Sequence, residues 1–362
     1  YVSAHPQGRM VDPLVTVDFS IAITGTAISC EWYRDDELLA EGALPHGAVI
    51  TIECEDDYST LTIANILDVD EGDYWCRVIG PNGQVDSNTA QLTVRKPPVI
   101  SGHPASIVAP VGSEALFMVE LSSGTPPFRY MWEKREFGAS IWTPVKFIPS
   151  SLTTDSHYIQ PLALAAAGDY RCKVRNSASI ALNQSGDPEL DFVHSDIATL
   201  TVWEPMSFDP PDGAQPVNTT VNYGTTASFS ARVSGTLVGL EFTWLDEDGN
   251  DVTLVNPQAS VVTDGPTTTL YIPDATNDDE GGYRVRATTI YQSGDDAVYS
   301  AFGYLEVRDP VITRHPQSVA TFIGANISFT IEAAGSSLSY AWYKSGSGVV
   351  LSVTDTLTIN SV

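Results

Sequence analysis

Basic residues are scarce in this chain: 18 Lys and Arg stand against 45 Asp and Glu among 362 residues, a formal charge of −27 at pH 7. A surface of that sign repels phosphate backbones and anionic membranes within a Debye length, so nucleic acid is excluded as a partner and membrane contact is not expected within this stretch. The acidity serves either the solubility of a long, crowded surface or bridging by Ca²⁺. Also missing is any apolar run near the roughly 18 residues of a membrane span. Tyr1-Val2-Ser3-Ala4-His5-Pro6 has neither the basic start nor the apolar centre of a secretory leader, so a leader or anchor is expected outside these residues. Phosphate-binding glycine loops, CxxC pairs, HExxH and GxSxG are absent, and none of the six His stands with a nucleophile or a carboxylate motif. Catalysis needs groups that converge, and the expectation is a non-enzyme.

What is present suits a folded, turn-rich all-β chain: 43% apolar and 17% charged residues, with 27 Gly and 23 Pro. At about 150 residues per domain the length allows two to four domains. A repeat gives a sharper count. A Trp in a strand-like context recurs at Trp32, Trp132, Trp244 and Trp342, at intervals of 100, 112 and 98 residues. A second motif follows the first three at 42, 38 and 39 residues: Asp70-Glu-Gly72-Asp-Tyr74-Trp-Cys76, Ala166-Ala-Gly168-Asp-Tyr170-Arg-Cys172 and Asp279-Glu-Gly281-Gly-Tyr283-Arg-Val285. A Pro-bearing opening strand is the third signal, at His5-Pro6, Pro98-Val-Ile-Ser-Gly-His103-Pro104 and Pro310-Val-Ile-Thr-Arg-His315-Pro316, with a different start for the third unit at Pro210-Pro211.

On these motifs the chain resembles tandem immunoglobulin-superfamily domains of the I-set kind, and equally the immunoglobulin-like repeats of bacterial and viral surface proteins. The resemblance covers essentially all of the sequence. It implies an all-β fold of tandem immunoglobulin-like β-sandwiches joined by short linkers into a semi-rigid rod, with domains at 1–96, 97–203, 204–308 and an incomplete fourth at 309–362 holding strands A to E only. Both ends are therefore expected to be cut from a longer array. Trp32, Trp132, Trp244 and Trp342 become the inward residues of strand C. Tyr74, Tyr170 and Tyr283 become corner tyrosines bonding back to upstream backbone, with a Gly allowing each tight corner. Phe19-Ser-Ile21-Ala-Ile23 and Phe329-Thr-Ile331 alternate as a half-buried strand B. The linkers Arg95-Lys96-Pro97-Pro98, Trp203-Glu204-Pro205 and Arg308-Asp309-Pro310 are short and stiffened by proline.

Four Cys are few for such an array. The family's bridge between strands B and F is missing, because Ile21 and Val119 stand opposite Cys76 and Cys172, and Ala231 and Val285 hold that pair of positions in the third domain. Cys76 and Cys172 read as buried thiols acting as small apolar groups. Cys30 and Cys54 form either a bridge within the first domain or two more free thiols. Sparse disulfides argue against a vertebrate extracellular receptor and fit a bacterial, viral or protist surface protein or an intracellular sarcomere-like array; the acidity and low Lys count disfavour the last.

Of the histidines, His5, His103 and His315 precede Pro where a kink or cis bond is structural, and His46, His157 and His194 read as loop residues. No cofactor is expected, with one weak Ca²⁺ candidate, Asp246, Asp248 and Asn250 in Asp246-Glu247-Asp248-Gly249-Asn250-Asp251. It lacks the Gly an EF-hand loop has at its sixth position, and a hairpin turn uses the same residues. Glycosylation sequons begin at Asn183, Asn218 and Asn326, of which Asn183 and Asn218 lie in expected loops and are the better acceptors.

Strand register yields one surface constellation. The resemblance implies antiparallel neighbouring strands C and F with Trp32 opposite Cys76, which places Tyr33 opposite Trp75 and Glu31 opposite Arg77, all turned outward, so the first domain should expose an aromatic pair beside an ion pair. This patch either stabilises the sheet or binds a protein or a sugar ring. The same rule gives Glu133 with Arg171 and Arg135 with Asp169 in the second domain, a solvated face without aromatics. The functional expectation is a non-enzymatic structural or adhesive extracellular rod, part of a longer surface filament, appendage or virion fibre, located outside the cell or on the cell or virion surface. Its partners would be further copies or neighbouring subunits. A glycan- or protein-receptor-binding module and the accessory stalk of a larger enzyme are the alternatives.

Overall fold

The structure, a computed structural model, describes residues 1–210 and 212–362. Pro211, half of the Pro210-Pro211 start expected for the third unit, lies outside the described residues. Residues 1–202 make one compact unit and 203–362 another.

Alternation of apolar and polar residues sets the strand faces. In Val17–Ile23 every second side chain, Val17, Phe19, Ile21 and Ile23, is buried. Domain one has β1 (Val2–Ala4), β2 (Arg9–Val11), β3 (Val17–Ile23), β4 (Ser29–Arg34), β5 (Glu37–Leu38), β6 (Gly42–Ala43), β7 (Val49–Cys54), β8 (Tyr58–Ala64), β9 (Gly72–Gly80), β10 (Gly83–Asp86) and β11 (Ala90–Val94). One sheet runs β1-β3-β8-β7-β6 and the other β2-β11-β9-β4-β5, with β10 also on β9. The opening strand is thus split between sheets, β1 antiparallel to β3 and β2 parallel to β11. His5-Pro6 sits at the split, where His5 Nδ1 accepts the Asn88 N–H at 3.0 Å.

Domain two repeats this plan with β12 (Val99–Gly102), β13 (Ile107–Pro110), β14 (Ala115–Ser123), β15 (Phe128–Arg135), β16 (Thr143–Ser150), β17 (Thr154–Ile159), β18 (Gly168–Arg175), α1 (Ser177–Leu182), β19 (Val193–His194) and β20 (Ala198–Trp203). Its sheets are β12-β14-β17 and β13-β20-β18-β15-β16, with β19 on β18. His103 Nδ1 accepts the Asp196 N–H at 2.9 Å. The bond, rather than a cis peptide, is the role of these two His-Pro histidines: the cis bonds among the described residues are Pro126-Pro127, Gln160-Pro161 and Asp309-Pro310.

Domain three holds β21 (Thr219–Asn222), β22 (Ala227–Arg232), β23 (Glu241–Leu245), α2 (Val252–Val255), β24 (Ser260–Asp264), β25 (Thr267–Ile272), β26 (Gly281–Thr288), β27 (Val298–Tyr299) and β28 (Gly303–Arg308). Here Gln215-Pro216 stands in for His-Pro, and Gln215 Oε1 accepts the Ala301 N–H at 2.7 Å.

Three cores lie between these sheet pairs. Trp32, Trp132 and Trp244 are at most 1% exposed. Each indole N–H crosses its sandwich, to Ser59 Oγ at 3.0 Å, Asp155 Oδ2 at 2.8 Å and Thr268 Oγ1 at 3.1 Å, which satisfies the one polar atom that burial of a Trp strands. The corner hydroxyls of Tyr74, Tyr170 and Tyr283 donate to the carbonyls of Asp70, Ala166 and Asp279, each at 2.7 Å. Gly72, Gly168 and Gly281 start the strands that carry these tyrosines, with φ of 157°, 145° and 143°; at Gly168 a Cβ would lie 2.6 Å from the Arg135 carbonyl oxygen. Where a B-to-F disulfide would sit, the filling is apolar: Ile21, Val119, Ala231 and Val285 are all buried, and Phe19, Phe117 and Phe229 pack on the corner tyrosines at centroid distances of 4.9, 4.7 and 5.2 Å.

In the fourth domain one residue, Trp342, departs from expectation. The domain has β29 (Val311–Arg314), β30 (Ile327–Thr330), β31 (Glu332–Ala334), β32 (Trp342–Tyr343), β33 (Val350–Ser352) and β34 (Thr356–Ile359), paired only as β29 with β31, β30 with β34 and β32 with β33. Trp342, expected in the core, is half-buried on an open apolar recess shared with Phe329, Leu351 and Leu357. The reason is topological: no strand among the described residues takes the place that β9, β18 and β26 occupy beside the Trp strand elsewhere.

Candidate functional site

The first domain's outer face is built on β4 and β9. Their register sets Trp32 opposite Cys76, Tyr33 opposite Trp75 and Glu31 opposite Arg77. Tyr33 and Trp75 stack with centroids 4.2 Å apart and planes 5° from parallel, both half-buried. The Arg77 guanidinium carbon lies 5.3 and 5.1 Å from the two ring centroids.

The ion pair differs from the expected one. Arg77 binds Asp86, not Glu31, with Nε on Oδ1 at 2.8 Å and Nη2 on Oδ2 at 3.0 Å. The β9–β10 hairpin sets Asp86 directly across from Arg77, and the fork of the guanidinium matches a carboxylate edge-on. Glu31 is engaged elsewhere, accepting the Tyr33 hydroxyl at 2.8 Å. The electrostatics follow the bonds: hydrogen bonding to Arg77 holds the Asp86 carboxyl below its usual range, and the bond to Glu31 pushes the Tyr33 phenol up. A stacked aromatic pair with a fixed, charged rim can bury a flat apolar group and orient a polar one beside it.

The corresponding face of domain two is covered rather than solvated. Glu133 bonds Arg171 at 2.8 Å and Arg135 bonds Asp169 at 2.7 Å, as the register implies. Over these bases lies Trp142, its ring centroid 4.6 Å from the Arg135 guanidinium carbon and 4.4 Å from that of Arg171. Farther along, Phe192 lies 4.7 Å from Lys173 Nζ and 4.6 Å from the Arg175 guanidinium carbon. Glu133 and Lys173 are consequently 3% and 4% exposed, a buried pair at 2.8 Å that Glu189 extends to a triad at 2.7 Å from Lys173. Both aromatics come from segments that fold back over the sheet, which no strand periodicity signals. In domain three Tyr299 and Phe302 flank Arg284, each 4.8 Å away.

The cysteines resolve one open alternative. Cys30 on β4 and Cys54 on β7 are disulfide-bonded, tying the two sheets of domain one at a place unrelated to the family's usual bridge. Cys76 and Cys172 are buried free thiols, and burial pushes the Cys76 thiol up to about 12 and that of Cys172 higher still.

Two histidines expected in loops lie on strands. His157 on β17 is beside Trp132 and Tyr170, 6.0 and 5.9 Å between centroids, and its burial holds it below the usual imidazole range. His194 on β19 is lowered for the same reason. His46 is in a loop, with Nε2 2.8 Å from the buried Asp70 Oδ1.

Asp246 to Asp251 forms a turn. Asp246 accepts the Asn250 backbone N–H at 2.8 Å and its side-chain amide at 3.1 Å, while Asp251 caps α2 by accepting the Thr253 N–H at 2.9 Å. Asp248 is exposed, and among the described residues no three His, Cys, Asp or Glu side chains converge in a metal-holding group. Of the sequons, Asn183 has its amide nitrogen committed to the Asp187 carbonyl at 2.6 Å and Asp191 Oδ1 at 2.8 Å, contrary to its expected readiness as an acceptor. Asn218 and Asn326 are exposed and use only their amide oxygens, toward the N–H groups of Tyr304 and Ser361.

The immunoglobulin I-set domain family matches residues 2–94 and 213–298, the first and third of the sandwiches just described. Those two sandwiches are immunoglobulin I-set domains, and the chain is a tandem array of immunoglobulin-like folds. Among solved structures, three immunoglobulin domains of titin, I67–I69, align with 85% of this chain and 98% of theirs at a TM-score of 0.59 and 18% identity, a likeness of fold. Among curated relatives, the muscle M-line assembly protein unc-89 of Caenorhabditis elegans is 27% identical over 318 residues, 85% of this chain and 4% of that protein. Endoglucanase C of Cellulomonas fimi is 28% identical over 130 residues, 36% of this chain and 11% of that protein. The chain therefore spans only a small part of the relatives it matches.

Proposed function

We propose that this chain is a non-enzymatic structural or adhesive segment of an extracellular or surface-displayed protein, and that it contacts a protein partner through the outer face of its first domain. One observation carries the reading. The Tyr33–Trp75 stack with its Arg77–Asp86 rim is left open in domain one, whereas Trp142 and Phe192 roof the same face in domain two. Large aromatics and Arg are the residues that anchor protein interfaces. The Cys30–Cys54 bridge suits an oxidising compartment. The relationship to a muscle assembly protein, and to cell adhesion molecules among the other relatives, supports a structural or adhesive role.

The partner we favour is a second copy or a neighbouring subunit, as in the repeating body of a filament, appendage or virion fibre. Light scattering on the eluting chain, with aggregation of beads that carry it, tests this. Association that rises with concentration and falls at least tenfold in Trp75→Ala supports the reading. A chain that stays monomeric, or a variant that associates like the wild type, overturns it. The match to an endoglucanase favours a second reading, an accessory stalk beside a catalytic domain; a catalytic domain in the flanking sequence would establish that one.

A further inference from the structure

Domain two carries residues 176–192 between β18 and β19, where domain one has only Pro81-Asn82 between β9 and β10. The segment starts at Asn176, a polar residue only 3% exposed. Its side-chain nitrogen donates to the Lys96 carbonyl at 2.7 Å and the Thr125 carbonyl at 2.8 Å. Its side-chain oxygen accepts the Ser179 N–H at 2.9 Å, and its own N–H donates to Ser179 Oγ at 3.1 Å. One residue therefore joins the interdomain linker, the turn after β14 and the start of α1. Lys96 and Thr125 close the knot: the Lys96 N–H donates to Thr125 Oγ1 at 2.9 Å, and the Thr125 N–H to the Lys96 carbonyl at 2.9 Å.

The other end of this network lies in domain one. Ser177, the first residue of α1, donates its hydroxyl to Asp12 Oδ1 at 2.5 Å, across 165 residues of sequence. Asp12 lies 3.7 Å from Arg95, and Lys96 Nζ lies 3.3 Å from Glu71, which also accepts the Val94 N–H at 2.9 Å. The exchange between linker and turn is not peculiar to this junction, since Glu204 and Thr236 make the same pair of bonds at 2.8 and 3.0 Å. What is peculiar to it is the buried Asn and the segment that reaches back to Asp12.

We propose that residues 176–192 are an interdomain strap, anchored by Asn176 and fastened to domain one through Ser177 and Asp12, that holds the first two domains as one body. The strap fixes how the first domain's face is presented, yet the inference does not depend on what that face binds. With the strap in place, the Arg95-Lys96 bond is shielded by the bonds of both residues; with it released, the linker opens to protease.

Timed tryptic digestion of the full chain reads this directly, with cleavage after Arg308 as the internal reference. Loss of one such hydrogen bond is expected to speed cleavage after Arg95 roughly twofold to tenfold without changing the Arg308 rate. Asn176→Ala should give the largest effect but also disturbs domain two itself. The deciding variant is Ser177→Ala, which leaves Asp12 and Arg95 in place. Its thermal unfolding should match the wild type, while small-angle scattering shows a broader distribution of maximum dimension. An Arg95 cleavage rate and a scattering profile unchanged in Ser177→Ala overturn the strap.

Discussion

Cys30 and Cys54 join β4 to β7 across the sandwich of domain one, while Cys76 on the neighbouring β9 stays reduced and fully buried. The bridge spans 24 residues of sequence. Closing a loop of that size in the unfolded chain is worth about 3 kcal/mol in the chain-entropy account. Replacing Cys30 and Cys54 by Ser should destabilise domain one by about that much and leave the other domains' transitions in place. Denaturant titration followed by fluorescence would show it, and an unshifted first transition would mean the bridge contributes nothing.

The two free thiols should be silent. With the Cys76 thiol pushed up to about 12 by burial, and that of Cys172 higher, almost no thiolate exists at pH 8. A thiol reagent should count none in the native chain and two in guanidinium. Native labelling within minutes would contradict the buried placement.

The corner tyrosines make a test with a definite sign. Burial raises Tyr74, Tyr170 and Tyr283 from near 10 to about 12, so folding favours their protonated forms. That stability is whole below pH 10 and is lost as the pH climbs from 10 through 12, the opposite direction to acid unfolding of carboxylates. Alkaline unfolding should begin above pH 10, with these phenols and that of Tyr130, which burial raises further, titrating last by ultraviolet absorbance. Tyr170→Phe, which removes the 2.7 Å bond to the Ala166 carbonyl, should cost about 1 kcal/mol in domain two.

The tryptophans should separate by burial rather than by motif. Trp132→Ala is expected to cost about 3 to 5 kcal/mol in its domain, the range for emptying a packed aromatic site. Trp342→Ala, at a half-buried ring, should cost distinctly less. Calorimetry of the full chain, read as separate domain transitions, gives both values.

Trp142 offers a check on the roofed face. Trp142→Ala removes the ring beside Arg135 and Arg171 and should destabilise domain two by about 0.5 to 2 kcal/mol, the span of cation–π contacts from exposed to desolvated sites. No change would mean the ring only rests on the surface.

The features legible in the amino-acid order were those that depend on a short stretch or on strand register. The period near 100 residues located the three cores, because each sandwich needs one bulky inward Trp and one cornering Tyr at nearly constant separation. Counting outward from Trp32 and Cys76 placed Tyr33 beside Trp75, since antiparallel pairing is strictly alternating. The incomplete fourth domain was legible in the missing corner motif, but the half-burial of Trp342 was not, because a motif marks a strand and not how far its neighbours cover it.

Backbone periodicity and turn chemistry therefore determined the fold class, the repeat and the residues sharing each face. Tertiary structure alone decided which carboxylate Arg77 chose, that Trp142 and Phe192 close one face while the equivalent one stays open, that Cys30 meets Cys54, and that Asn176 gathers three segments. The Arg77 and Cys30 pairings depend on which strands the fold brings together, whereas the roof of domain two and the Asn176 junction depend on where an irregular segment returns in space. Such a segment carries no period, and its path is set by the polar groups it must satisfy once the sheets are already in place.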